Sequence, residues 1–143
     1  PRAMVDRALL QPVVALAAWT FVMWAWMYAT RLPAMRAARM KPDPMAPRGQ
    51  QMATLPPRVR WKADNYNHLF EQPTLFYAVA IVLALSGNSG ETDVTLAWAY
   101  VLVRVVHSLQ QALDNTIEVR FVLFALSSLV LLALTVRAGL AVQ

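Results

Sequence analysis

The chain has 143 residues, 58% of them hydrophobic and only 15% charged, with a formal net charge of +5. Long apolar blocks exclude an ordinary soluble domain, and eight of the thirteen Lys and Arg fall between Arg31 and Lys62, which suits a basic loop beside a membrane and not a nucleic-acid surface. Cysteine is absent, which excludes disulfides, thiolate metal sites and a Cys nucleophile.

From Ala8 to Thr30 there is no charged residue. At about 1.5 Å per residue such a run crosses the roughly 30 Å of a hydrocarbon core. It predicts a first helix over about 8–31, with Trp19, Trp24, Trp26 and Tyr28 as aromatic anchors. Arg2 and Arg7 mimic the basic start of a signal peptide, but the apolar run is too long and lacks an A-x-A exit, so the helix is expected to be retained. Pro1 in first position points to a processed or incomplete N-terminus. Residues 32–57 hold six of the nine prolines, which predicts an irregular basic loop. A second helix, about 58–86, enters the bilayer near Phe70 and stops at Ser86-Gly87-Asn88-Ser89-Gly90. Glu91-Thr92-Asp93 opens a third, about 93–113, with Thr92 or Asp93 as its cap. The polar link Asp114-Asn115-Thr116 leads to a fourth, about 118–141. The prediction is one all-α domain over 1–143: an integral membrane four-helix bundle, up-down and antiparallel. The basic 31–62 segment and the 114–118 link share one side, which the positive-inside rule makes cytoplasmic.

Glu71 and Arg104 lie inside these apolar stretches, where a charge facing lipid costs roughly 2.5 to 3.5 kcal/mol. Both are expected to turn inward, as an ion pair that fixes helix register or as part of a site. Asp64, His68 and Glu71 (i, i+4, i+7) form one stripe on the second helix; Arg104, His107 and Gln111 (i, i+3, i+7) form one on the third. Antiparallel packing brings these stripes to the level of Arg120, at the mouth of helix four, and of Arg31, which closes helix one. Pro73 predicts a kink beside Glu71, because it frees the Leu69 carbonyl. His68 and His107 lack a third and fourth ligand, so no metal site is expected. P-loop, GxGxxG, GxSxG and HExxH patterns are absent.

The stretch Asn67-His68-Leu69-Phe70-Glu71-Gln72-Pro73 resembles helix two of the MAPEG family, the membrane-associated proteins in eicosanoid and glutathione metabolism. In that family an Asn precedes a Glu on the face that helps hold glutathione. Ala97-Trp98-Ala99-Tyr100 followed by Arg104-Val105-Val106-His107-Ser108 is similar to the family's R-x-x-H segment, and Arg120 falls where its thiol-activating Arg is expected. The resemblance covers nearly the whole chain. It implies a homotrimer that binds glutathione between subunits at the cytoplasmic side, in a bacterial inner membrane, with a lipophilic electrophile arriving from the lipid. By the same resemblance Asn67 and Glu71 contact the peptide's amine and backbone, Arg31 and Arg104 meet its carboxylates, and Arg120 stabilises the thiolate as the catalytic residue. His68, His107 and Gln111 complete the binding set. The sequence departs from the family pattern at three places. The Asn-to-Glu interval is four where the eukaryotic enzymes have three, so His68 stands in the three-back position. Gln111 stands where tight glutathione binders often carry Tyr, and Asp64 replaces an upstream basic residue.

Three functions are weighed. The first is a glutathione-dependent transferase or peroxidase. The second is a non-catalytic lipid-binding protein or accessory subunit of a larger membrane assembly, favoured by Gln111 and the altered spacing. The third, a proton or solute pathway along Glu71, Arg104 and His107, has little room for alternating access in four short helices. No nucleic-acid partner is expected.

Overall fold

Asp6 opens the bundle: its carboxylate accepts the Ala8 amide at 3.0 Å, and α1 (Arg7–Ala37) follows, in a computed structural model that describes residues 4–143. Pro1 and Arg2, and the readings made on them, lie outside the described residues. α1 runs past Arg31 and through Pro33, where the sequence predicts the loop to begin. The physical reason is that a proline inside a helix removes one amide donor, while the following Ala34-Met35-Arg36-Ala37 are strong helix formers. Arg31 is therefore a mid-helix residue and not the helix end.

The loop that follows contains one short 3-10 turn at Met52–Thr54. The second rod is made of two helices, α2 (Pro57–His68) and α3 (Pro73–Ser86), separated at 69–72. Gly87 closes α3 in the left-handed conformation at φ 73°, which glycine adopts without a Cβ penalty. α4 (Glu91–Leu113) starts from Gly90 as its cap, and Asp93, three residues in, accepts the Gly90 amide at 2.9 Å. Neither Thr92 nor Asp93 is the cap itself; Asp93 acts from within the first turn, where a carboxylate can reach back to the exposed donor. α5 (Ile117–Ala141) completes the fourth rod. No strand occurs among the described residues.

Contacts between rods fix an up-down, antiparallel order. The Asp6 amide donates to the Ala84 carbonyl at 2.9 Å and the Ser89 hydroxyl to the Asp6 carboxylate at 2.7 Å, so the start of α1 meets the end of α3. Asp93 pairs with Arg137, which places the start of α4 beside the end of α5. Rods two and three each touch several neighbours, whereas α1 and α5 flank them. Leu9, Leu16 and Met23 recur every seventh residue on the buried face of α1. They pack with Phe76, Ala80 and Leu83 of α3, Ala97 and Tyr100 of α4, and Leu131 and Leu134 of α5. Phe76 and Tyr100 stack at 4.6 Å between ring centres. The alanines at these crossings let the backbones approach closely.

Three helical stretches are long and apolar enough to cross a bilayer: Arg7–Ala37, Pro57–Ser86 and Ile117–Ala141. α4, which is not among these three, carries Asp93, Arg104, His107, Ser108 and Gln111 buried in the interior. Large apolar side chains, including Val14, Phe21, Leu102, Phe121 and Leu129, point outward. This outward apolar surface around a polar inside suits lipid as the surrounding solvent.

Candidate functional site

The site is organised by the break at 69–72. Pro73 has no amide donor, and the chain closes the gap with tight i to i+3 bonds: Phe70 to the Asn67 carbonyl at 3.0 Å and Glu71 to that of His68 at 3.2 Å. A tight turn advances faster around the axis than an α-turn, so Glu71 leaves the stripe on which Asp64 and His68 would otherwise continue. It lies exposed on the single chain, and no ion pair joins it to Arg104. The expected Glu71–Arg104 pair within one chain is therefore corrected. The next residue, Gln72, turns inward, accepting the Tyr100 hydroxyl at 3.1 Å and donating to Ser128 at 2.8 Å.

Arg104 is completely buried, and its Nη2 meets Nδ1 of His68 at 2.7 Å. A guanidinium only donates, so His68 Nδ1 is the acceptor and its proton sits on Nε2. The His68 ring stacks on His107 with 5.1 Å between centres and 14° between planes, and meets the Phe124 ring in an edge-to-face pair at 5.6 Å. Arg120, on the first turn of α5, donates to the Asn115 side chain at 2.7 Å. Asn115 is held in place by the left-handed turn at φ 56° that ends α4. His68, His107 and Arg120, with Ile117, Phe121 and Phe124, line a cleft of about 240 Å³. Its chemistry is a cation and two imidazoles walled by apolar side chains.

Arg31 and Asn67 line a different hollow, about 370 Å³, under the basic loop, together with Arg48, Arg60 and Asp64. Gln111 is buried on α4 one turn beyond His107. The structure thus gathers Arg104, His68, His107 and Arg120 in one cluster. Arg31 and Asn67 form a second, and Glu71 lines neither. Asn115, Phe124 and Gln72 were not singled out from the sequence; only the Asp114-Asn115-Thr116 turn signal pointed toward the first. No group of three His, Asp or Glu placed to hold a metal ion occurs among the described residues.

No curated protein and no solved structure matches the chain. A family model, described as the MAPEG family, matches residues 9–140.

Proposed function

The chain belongs to the MAPEG family, and from that premise we propose that it is a membrane-embedded glutathione-dependent transferase or peroxidase acting on lipophilic electrophiles. One observation carries the reading: Arg120 and two imidazoles share a cleft whose remaining walls are the apolar side chains Ile117, Phe121 and Phe124. That donor set fits a small anionic thiol peptide on one side and a lipophilic partner on the other. When bound, glutathione supplies the thiol that attacks the electrophile. Arg120 is tethered to Asn115 through one nitrogen, which leaves its other donors for an anion. A guanidinium stays charged at any physiological pH, so it favours thiolate over thiol, whose ordinary pKa is about 8.5. Arg104, held by His68, adds a second fixed positive charge behind the cleft.

Arg31 and Asn67 belong to another hollow of the same chain, and exposed Glu71 to neither. A homotrimer with glutathione between neighbouring copies lets these residues of one copy complete the Arg120 cleft of the next. In that arrangement Arg31 takes a carboxylate, Asn67 and Glu71 the amine and backbone, and buried Arg104 contributes its charge from behind the cleft. The basic loop faces the cytoplasm, where it meets anionic lipid headgroups and soluble glutathione. Gln111, buried where a Tyr accompanies tight binding, favours a second reading: a non-catalytic lipid-binding or accessory subunit with the same fold.

Glutathione titrated into the detergent-solubilised protein, read by ultraviolet thiolate absorbance, separates the two readings. Thiolate is expected at neutral pH in the native protein. Arg120→Ala is expected to lose it, with turnover falling roughly a hundredfold or more, the scale of one removed charge-stabilising donor. An unshifted thiol on glutathione bound to the native protein would sink the transferase reading. Absence of any binding would favour the accessory subunit.

A further inference from the structure

Between α2 and α4 runs a row of polar side chains, of which Lys62, Asn65 and Ser108 have no part in the proposed chemistry. Lys62 Nζ donates to the Ala112 carbonyl at 3.1 Å, and nearly two turns along α2 His68 meets Arg104 at 2.7 Å and stacks on His107. These two ties fix the antiparallel register. They set Asn65, midway between Lys62 and His68, level with Ser108, midway between Arg104 and Ala112. Asn65 and Ser108 are both fully buried, and neither the Asn65 amide nor the Ser108 hydroxyl bonds to any described group. Arg104, one turn before Ser108, has Nε and Nη1 in the same condition; Gln111, one turn after it, has its amide oxygen so. Arg104, Ser108 and Gln111 (i, i+4, i+7) share one stripe of α4, and Asn65 and His68 (i, i+3) share one of α2.

Donors and acceptors are both represented in this row, within one seam, away from lipid and from bulk water. Buried polar groups in folded proteins are almost always bonded to protein or to ordered water, and a seam offering several donors and acceptors is polar enough to hold water. We propose that Asn65 and Ser108 form a buried hydration site between α2 and α4, whose water bridges them to the guanidinium of Arg104 and the amide of Gln111. Arg104 is then held on both edges, by His68 through Nη2 and by the hydrated seam through Nε and Nη1. Asn65 and Ser108 are positioning residues: they act on the cleft only through the pose of Arg104.

High-resolution electron microscopy of the full chain in nanodiscs tests the site directly. Density for at least one water within hydrogen-bond distance of both Asn65 and Ser108 is expected. A dry seam, or an Asn65 amide bonded straight to Arg104 or Ser108 with nothing between, overturns the proposal. Ser108→Ala, a change small enough to leave the fold intact, is expected to shift the Arg104 Nε–H resonance and speed its exchange with solvent. An unmoved Arg104 signal overturns it equally. The consequence for glutathione affinity, weaker binding in Ser108→Ala, rests on the proposed function. If native protein binds no glutathione, that function fails while density and resonance still decide the hydration site.

Discussion

Arg104 and Gln72 show how single side chains hold this bundle together from within. Gln72 is the cross-link of three rods, since its amide takes the Tyr100 hydroxyl of α4 and reaches Ser128 of α5. Ser128 also bonds to the Phe124 carbonyl at 2.8 Å, so it survives the loss of Gln72 with a partner; the fully buried Tyr100 hydroxyl does not. Gln72→Leu is therefore expected to cost about 1–3 kcal/mol in reversible unfolding from detergent micelles, the penalty for a buried polar group left unpaired. Adding Tyr100→Phe removes that orphan hydroxyl and should return part of the loss, so the double-mutant cycle gives a non-zero coupling. Additive losses would show that Gln72 acts by packing alone. The sequence made Arg104 legible as a buried cation, because nothing else explains an arginine amid Val103 and Val105. It misassigned the partner. Counting i+4 and i+7 along an unbroken helix puts Glu71 on the Arg104 side, and the break hands that place to His68.

The elements were legible wherever an apolar run had clear ends and at the interruption beside Pro73, and least legible at Pro33, where the helix was expected to stop. Pro33 and Pro73 look alike in a sequence, yet α1 continues through the first and the second rod divides at the other. The difference lies in the neighbours: Pro33 precedes helix-forming Ala34-Met35-Arg36-Ala37, whereas Pro73 follows a turn whose amides already bond i to i+3. Asp93 and Arg137 lie far apart in sequence, and no local pattern joins them; only the closed fold brings them together. If Pro73 sets the break, Pro73→Ala restores a donor for the Leu69 carbonyl and extends α3 backward. Amide exchange across Phe70 to Leu75 is expected to slow, with exchange elsewhere in the bundle unchanged. Unaltered exchange in that segment would mean that the packing of Gln72, and not the proline, makes the turn.

For the whole molecule, the alternation of rods follows from short connections and is written into the polar links at 87–90 and 114–116. Which side faces the cytoplasm rests on the basic loop alone. Because the native chain contains no cysteine, a single introduced thiol reports topology without background. Met45→Cys, at a strongly exposed loop position, is expected to react with a membrane-impermeant maleimide only from the cytoplasmic face; Asn88→Cys should react only from the opposite one. The reverse pattern would invert the bundle and place the Arg31 and Arg120 hollows on the opposite face of the membrane.

At the end holding the 87–90 turn, every rod is stitched to another: Asp6 to Ala84 and Ser89, Asn88 to Ala141, Asp93 to Arg137. At the opposite end, side-chain ties between rods are few, with Lys62 on Ala112 among them. A body pinned at one extremity opens like tongs, and its widest excursion comes farthest from the rivet. The proposed Arg120 cleft lies toward the less tied end, so binding there would leave the foundation on which the four rods stand undisturbed.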